Sequence, residues 1–254
     1  MGTDAALRDL LANADLELEG RLLEASNAAF LGSVEGVRCV YKPVRGEREL
    51  WDFPSDSLSR REVAAYELAI ALGIASVPVT VWRENGPAGP GMCQRWIDHT
   101  ELLPPIDVAP AGTSPAQWLV VMQGQAPDGS TVELAHADVP ALRDAAFFDV
   151  VCNNADRKGG HLLVDHEERI WLIDHGVTLH HEPKLRTVLW GFAGQPLEPR
   201  HLEALKRLDV NAVLGGFVND AELAATRDRV QSLLNEPRFP FPSGDWPALP
   251  WPLF

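Results

Sequence analysis

The chain has 254 residues, enough for one large domain or two closely associated lobes with a sizeable core. A formal net charge of -14 and a pI of about 4.9 argue against a nucleic-acid backbone or an anionic bilayer as the main partner, because both call for a basic surface. Its 3 cysteines, Cys39, Cys93 and Cys152, stand far apart with no C-x-x-C spacing, which points away from a zinc site or a disulfide framework. Each lies in an apolar run and is expected to pack as a small hydrophobe.

The first residues alternate charge with apolar side chains and lack the basic start and apolar core of a signal peptide. No apolar run approaches the ~20 residues of a membrane span. These features predict a cytoplasmic protein without membrane insertion.

Residues 3–14 read as an amphipathic helix with Leu7, Leu10 and Leu11 on one face and Thr3 or Asp4 as its cap. Three strands follow, at 16–24, 28–34 and 37–42, the last two joined by the tight turn Glu35-Gly36. The turn between the first two carries Ser26 and Asn27. It either brings backbone N–H groups to a phosphate or forms a plain hairpin turn. Lys42 ends the third strand.

A polar loop at 45–57 contains Trp51 and Pro54, and residues 59–72 form a helix with Val63, Tyr66, Leu68 and Ile70 available to the core. Glu62 lies in its first turn, and Gly73 stands just past its end. Strands at 76–82 and 91–97, separated by the Gly/Pro-rich loop 84–90, complete a five-stranded antiparallel sheet. Residues 98–115 are rich in Pro and polar side chains and mark a linker. The apolar run 118–122 is either a strand or a short helix. Asp138 as a cap and Pro140 in the first turn then open a helix over 140–152.

That helix delivers a loop dense in polar groups: Asn153, Asn154, Asp156, Arg157, Lys158 and His161. The apolar runs 162–164 and 170–173, joined by the tetrapeptide 165–168, predict a hairpin. The hairpin brings Asp156 and Asp174 to the same end. Two carboxylates, a lysine and a ligand-type side chain are the parts phosphoryl transfer needs, for orienting a hydroxyl, neutralising the moving phosphoryl group and holding the metal on nucleotide phosphates.

Beyond Gly176, the segment 177–197 gathers His180, His181, Lys184 and Arg186 in an otherwise acidic chain. It either meets an anionic substrate or is a solvated loop anchored by Trp190 and Phe192. Helices at 198–208 and 220–234 have packing roles. The Pro- and aromatic-rich tail lies extended along an apolar groove or binds a partner.

The run Asp156-Arg157-Lys158-Gly159-Gly160-His161 resembles the catalytic loop D-x-K-x-x-N of the protein-kinase-like superfamily, and Asp174-His175-Gly176 resembles its D-F-G motif. With the Asn-Asn-x-Asp-Arg preface, the chain most resembles the phosphatidylinositol 3/4-kinase-like branch, in particular its small actinobacterial members, from about Gly20 to Leu197.

The resemblance implies an α+β, bilobal, protein-kinase-like fold. Its parts would be a nucleotide-binding lobe at 1–97, a hinge at 98–115 and a mainly helical catalytic lobe at 116–254. It implies ATP as co-substrate, with Lys42 on its phosphates, Glu62 pairing with Lys42, and Ser26 and Asn27 in the phosphate-covering turn. Glu67 is the competing partner for Lys42 but points to a different face. Gln94, Trp96 and Ile97 would grip the adenine, and Leu163 and Ile173 would also contact the nucleotide.

Asp156 would orient the acceptor hydroxyl, Lys158 would stabilise the transferring phosphoryl group, and Asp174 with His161 would hold Mn2+ or Mg2+. His161 stands where the family has Asn, which predicts a preference for manganese. The acceptor expected is a protein hydroxyl, self-phosphorylation included. A small inositol- or sugar-like molecule, transfer of AMP in place of phosphate, and nucleotide binding without catalysis are the alternatives.

Overall fold

The computed structural model describes residues 2–22, 27–102 and 104–254. Helix α1 (Gly2–Asn13) precedes a five-stranded antiparallel sheet of β1 (Glu17–Arg21), β2 (Phe30–Val34), β3 (Val37–Pro43), β4 (Thr80–Arg83) and β5 (Gly91–Arg95), in the order β1-β2-β3-β5-β4. The expected turn joins β2 to β3: Glu35 (φ 46°) and Gly36 (φ 81°) are both left-handed, as a two-residue hairpin turn matching the strand twist requires. Alternation along β3 sends Cys39 and Tyr41 into the core and leaves Lys42 on the opposite face.

Helix α2 (Leu58–Leu72) has no capping hydrogen bond from its own N-cap, Ser57. The carboxylate of Glu47 takes that part, accepting from the amides of Leu58 (2.9 Å) and Ser59 (2.6 Å) and so tying the 45–57 loop to the helix start. Gly73 ends the helix in the left-handed conformation. Val63, Tyr66 and Leu68 are buried as expected, but Ile70 is 48% exposed. Two residues beyond Leu68 is roughly 200° around the helix, which turns Ile70 to solvent.

A second, three-stranded sheet follows: β6 (Ile106–Pro110), β7 (Trp118–Gln125) and β8 (Thr131–Ala137), in the order β6-β8-β7. Strand β6 lies inside the stretch read from sequence as linker. Its flanking prolines suggested irregular chain, yet Pro110 closes an edge strand, where a missing N–H is tolerated. The run at 118–122 proves to be strand.

Helix α3 (Pro140–Cys152) starts at Pro140 but its N-cap is Val139. Asp138, expected to cap it, pairs instead with Arg143 at 2.7 Å. The hairpin β9 (Leu162–Val164) with β10 (Ile170–Leu172) forms in the expected place. Helices α4 (Pro199–Arg207), α5 (Val210–Leu214) and α6 (Asp220–Asn235) precede the carboxy-terminal tail, α6 opening on a capping box between Asn219 and Glu222. Buried apolar side chains from the five-stranded sheet, α2, α3 and the carboxy-terminal helices form one continuous core. Arg61 of α2, buried, donates to Glu222 of α6 and to the carbonyl of Thr178 (2.7 Å), joining the two halves through polar contacts as well. No helix among the described residues is long and apolar enough to cross a membrane.

Candidate active site

The polar loop after α3 is held by its own side chains. Asn153 ends the helix in the left-handed conformation (φ 52°), which Asn tolerates well. Its side-chain amide donates to the carbonyls of His180 (3.0 Å) and Glu182 (2.7 Å), and its side-chain oxygen accepts from the amide of Lys184 (2.9 Å). Backbone bonds Ala155 N to Val177 O (3.0 Å) and Arg186 N to Asn154 O (2.8 Å) lace the loop to the segment beyond Gly176.

Below the loop is a sealed charge cluster. Asp149 and Arg157 are fully buried, with the guanidinium Nε 3.0 and 3.1 Å from the two carboxylate oxygens. Asp149 also accepts from Asn154 Nδ2 (2.9 Å) and Thr187 Oγ1 (3.1 Å). Arg157 reaches across to the carbonyls of His161 (3.3 Å) and Ile173 (3.0 Å) and to His175 Nε2 (2.7 Å). Burial, together with the Arg157 charge, pushes His175 well below its ordinary pKa, so the ring is neutral and its Nε2 accepts. One arginine thus fixes the loop, the hairpin and the Asp174-His175-Gly176 turn relative to one another. Sequence reading quoted Arg157 only as part of the loop and missed Asp149, although a carboxylate amid the apolar run of α3 was a visible signal.

Above the cluster opens a cleft of about 590 Å³, lined among others by Asn27, Lys42, Glu62, Asp156, Lys158 and Asp174. Lys42 Nζ lies 2.6 Å from Glu62 Oε1 and 3.0 Å from Asp174 Oδ1, joining the sheet, α2 and the end of the hairpin. Burial works against the ammonium charge, but Asp174 and Glu62 outweigh it and raise its pKa. Lys42 in turn holds the Asp174 carboxyl well below the usual range against the cost of burial. Glu62 is pushed upward by burial while Lys42 and the His175 amide, which donates to its Oε2 at 2.9 Å, pull the other way. Glu67 pairs with Arg8 and takes no part. Asp174 is itself left-handed (φ 60°), an uncommon conformation for a residue other than glycine, and its carboxylate accepts from Lys42.

On the other side of the cleft, Lys158 Nζ is 3.0 Å from Asp156 Oδ2, and the Asp156 amide donates to Asn154 Oδ1 at 3.0 Å. His161 Nε2 lies 3.4 Å from Asp174 Oδ2. Burial lowers the His161 pKa and Asp174 opposes it; its Nδ1 is buried without a hydrogen-bond partner. A neutral imidazole beside a carboxylate is a donor pair that suits a divalent transition ion. Among the described residues no group of three or more His, Cys, Asp or Glu could hold a metal, so an ion here would complete its shell from phosphate and water.

None of the residues expected at the adenine lines this cleft. Gln94 is buried and donates to Thr80 Oγ1 (2.8 Å). Trp96 and Ile97 line a separate groove with Asp165, Arg169 and Trp171. Leu163 and Ile173 do not line the cleft either, Ile173 serving through its amide to His161 O (3.0 Å). Ser26 lies outside the described residues. Asn27 accepts from the Arg48 amide at 2.8 Å, which anchors the loop that forms the far wall.

No protein-family model matches the chain. The crystal structure of a Helicobacter pylori proinflammatory kinase, CtkA, is similar at 12% identity over 90% of this chain and 94% of that one, with a TM-score of 0.48. Protein Rv2133c of Mycobacterium tuberculosis is 44% identical over 276 aligned positions, spanning 100% of this chain and 99% of that protein. The chain belongs to the family of Protein Rv2133c.

Proposed function

We propose that the protein transfers the γ-phosphoryl group of ATP to a hydroxyl acceptor. The observation that carries this reading is Lys42, held between Glu62 and Asp174 on the same cleft that Asp156 and Lys158 line. A lysine paired in this way is aimed and charged for nucleotide phosphates. Asp156 accepts the proton of the acceptor hydroxyl as its oxygen bonds to the γ-phosphorus. The bond from that phosphorus to the β-γ bridging oxygen breaks, and ADP leaves. Lys158, next to Asp156, neutralises charge on the phosphoryl group in transit.

Asp174 and His161 would hold a divalent ion, which supplies charge neutralisation on the nucleotide phosphates. Imidazole in that pair favours manganese over magnesium. ADP release with each ion alone checks this, and equal rates would contradict it.

Among the described residues Ser59 is the only Ser, Thr or Tyr lining the cleft, and its hydroxyl donates to the Lys42 carbonyl at 3.1 Å. A small hydroxyl compound suits a cleft of about 590 Å³. Thermal shift with ATP and manganese, followed by ADP release, tests the reading: a stabilised protein that never produces ADP would make it a nucleotide-binding module.

A further inference from the structure

The carboxy-terminal tail runs along the edge of the cleft. The Ala248 carbonyl accepts from the Thr187 amide (3.2 Å) and from Trp190 Nε1 (2.7 Å), and the Leu253 carbonyl accepts from the Gly159 amide (2.8 Å). A Cβ added at Gly159 would stand 2.3 Å from the Phe254 ring, so the loop approaches the tail closely because it has glycine there. The tail therefore bridges the segment beyond Gly176 and the loop bearing Asp156. The amides of Thr187 and Gly159, which an extended polypeptide could have used beside Asp156, are already occupied. Residues 244–254, the part of the tail along the cleft, contain no Ser, Thr or Tyr to receive the phosphoryl group.

What remains open is rimmed by indoles, of which Trp51 and Trp251 are largely exposed. Trp51, Trp246 and Trp251 line the cleft together with Arg48 and Arg186. Buried Lys184 locks two of these walls together. Its Nζ sits 4.0 Å from the Trp246 ring centre and 5.3 Å from that of Trp51, and pairs with Asp52 (3.1 Å) and Glu182 (3.2 Å). Arg186 donates through Nε to the Ala155 carbonyl (2.5 Å), one residue before Asp156, and lies over Trp246 at 5.4 Å. It pairs with no carboxylate among the described residues, which leaves its terminal nitrogens for an anion beside Asp156.

We infer that the acceptor is a small polyhydroxylated ring, a sugar or cyclitol, carrying an anionic group that Arg186 receives, and that the tail forms a fixed wall which excludes polypeptide. Indole faces stack on the apolar C–H face of such a ring while its hydroxyls project toward carboxylates. The transferred phosphoryl group goes to one ring hydroxyl, whose proton passes to Asp156. This inference rests on the phosphotransferase reading and specifies its acceptor.

The test uses the full chain with ATP and manganese. It measures ADP release with hexoses, hexose phosphates, uronic acids, inositol, inositol monophosphate and a mixed Ser/Thr peptide pool. An anionic polyol should stimulate release, whereas its neutral counterpart and the peptides should not. Arg186→Met should raise KM for that acceptor by about 10- to 100-fold, and Trp251→Ala should raise it too, with the ATP-induced thermal shift kept in both.

The acceptor assignment alone would be overturned by ATP binding with no anionic polyol accepted, by equal use of neutral and anionic polyols, or by phosphorylation of peptides. Peptide phosphorylation that appears only on deleting residues 246–254 would overturn it as well, making the tail an autoinhibitory strap. Absence of any ATP-induced shift in the unmodified protein would overturn the phosphotransferase reading itself.

Discussion

The sealed cluster beneath the loop and the cleft above it use the same residue types to opposite ends. In the cluster, Asp149 and Arg157 are fully buried and spend their polar atoms on neighbouring residues, so the charges are consumed in fixing backbone. In the cleft, the side chains of Lys42, Asp156, Lys158 and Asp174 are 19%, 24%, 19% and 46% exposed, and their charges keep capacity for a ligand. The difference separates holding a site from being one: the buried pair places the loop, and the half-buried pairs act through it.

That division can be broken from below. Asp149→Ala strands the Arg157 guanidinium in the core and should cost about 3–5 kcal/mol of stability. Replacing both residues with apolar ones of similar volume should cost much less, because no uncompensated charge remains. Chemical denaturation reads both effects; equal losses would mean that the pair does not act as a pair.

Broken from above, the outcome should invert. Asp156→Asn should lower phosphoryl transfer by about 10²–10⁴-fold, the range for losing a positioned proton acceptor. Stability should stay within about 0.5 kcal/mol, as at other partly exposed sites. A large drop in melting temperature would place Asp156 with the structural cluster.

A smaller effect sharpens the boundary at the hairpin. Asp165 accepts from the amides of Glu167 and Arg169, each at 2.9 Å, and from Trp171 Nε1 at 2.8 Å. Burial raises its pKa, but these bonds and Arg169 outweigh it and hold the carboxyl well below the usual range. A depressed folded-state pKa stabilises above the unfolded value of about 4 and loses that contribution as pH falls below it. Asp165→Asn should therefore cost about 1–2 kcal/mol at neutral pH and flatten the loss of stability below about pH 4. An unchanged acid limb would contradict this.

Local chemistry was legible in the sequence wherever a residue type had one obvious use. The Glu35-Gly36 turn, Lys42 at the end of β3, Glu62 one turn into α2, and the hairpin carrying Asp174 all stand where pattern and spacing put them. Long-range choices were not legible. Strand β8 mixes Glu133 and His136, both buried, into its pattern, so alternation did not reveal it. Nothing local sends Gln94 to Thr80 or brings Trp246 and Trp251 to a cleft built mostly by residues far earlier in the chain. Such placements depend on which surfaces the tertiary fold leaves uncovered.

The most direct test of the central claim follows the label from γ-labelled and α-labelled ATP, with manganese and the acceptor panel, in the unmodified protein and in its Asp156→Asn and Asp174→Asn variants. The account predicts that only the γ-label leaves the nucleotide and that either substitution sharply lowers its transfer. Transfer of the α-label, or γ-label transfer undiminished in the variants, would contradict it.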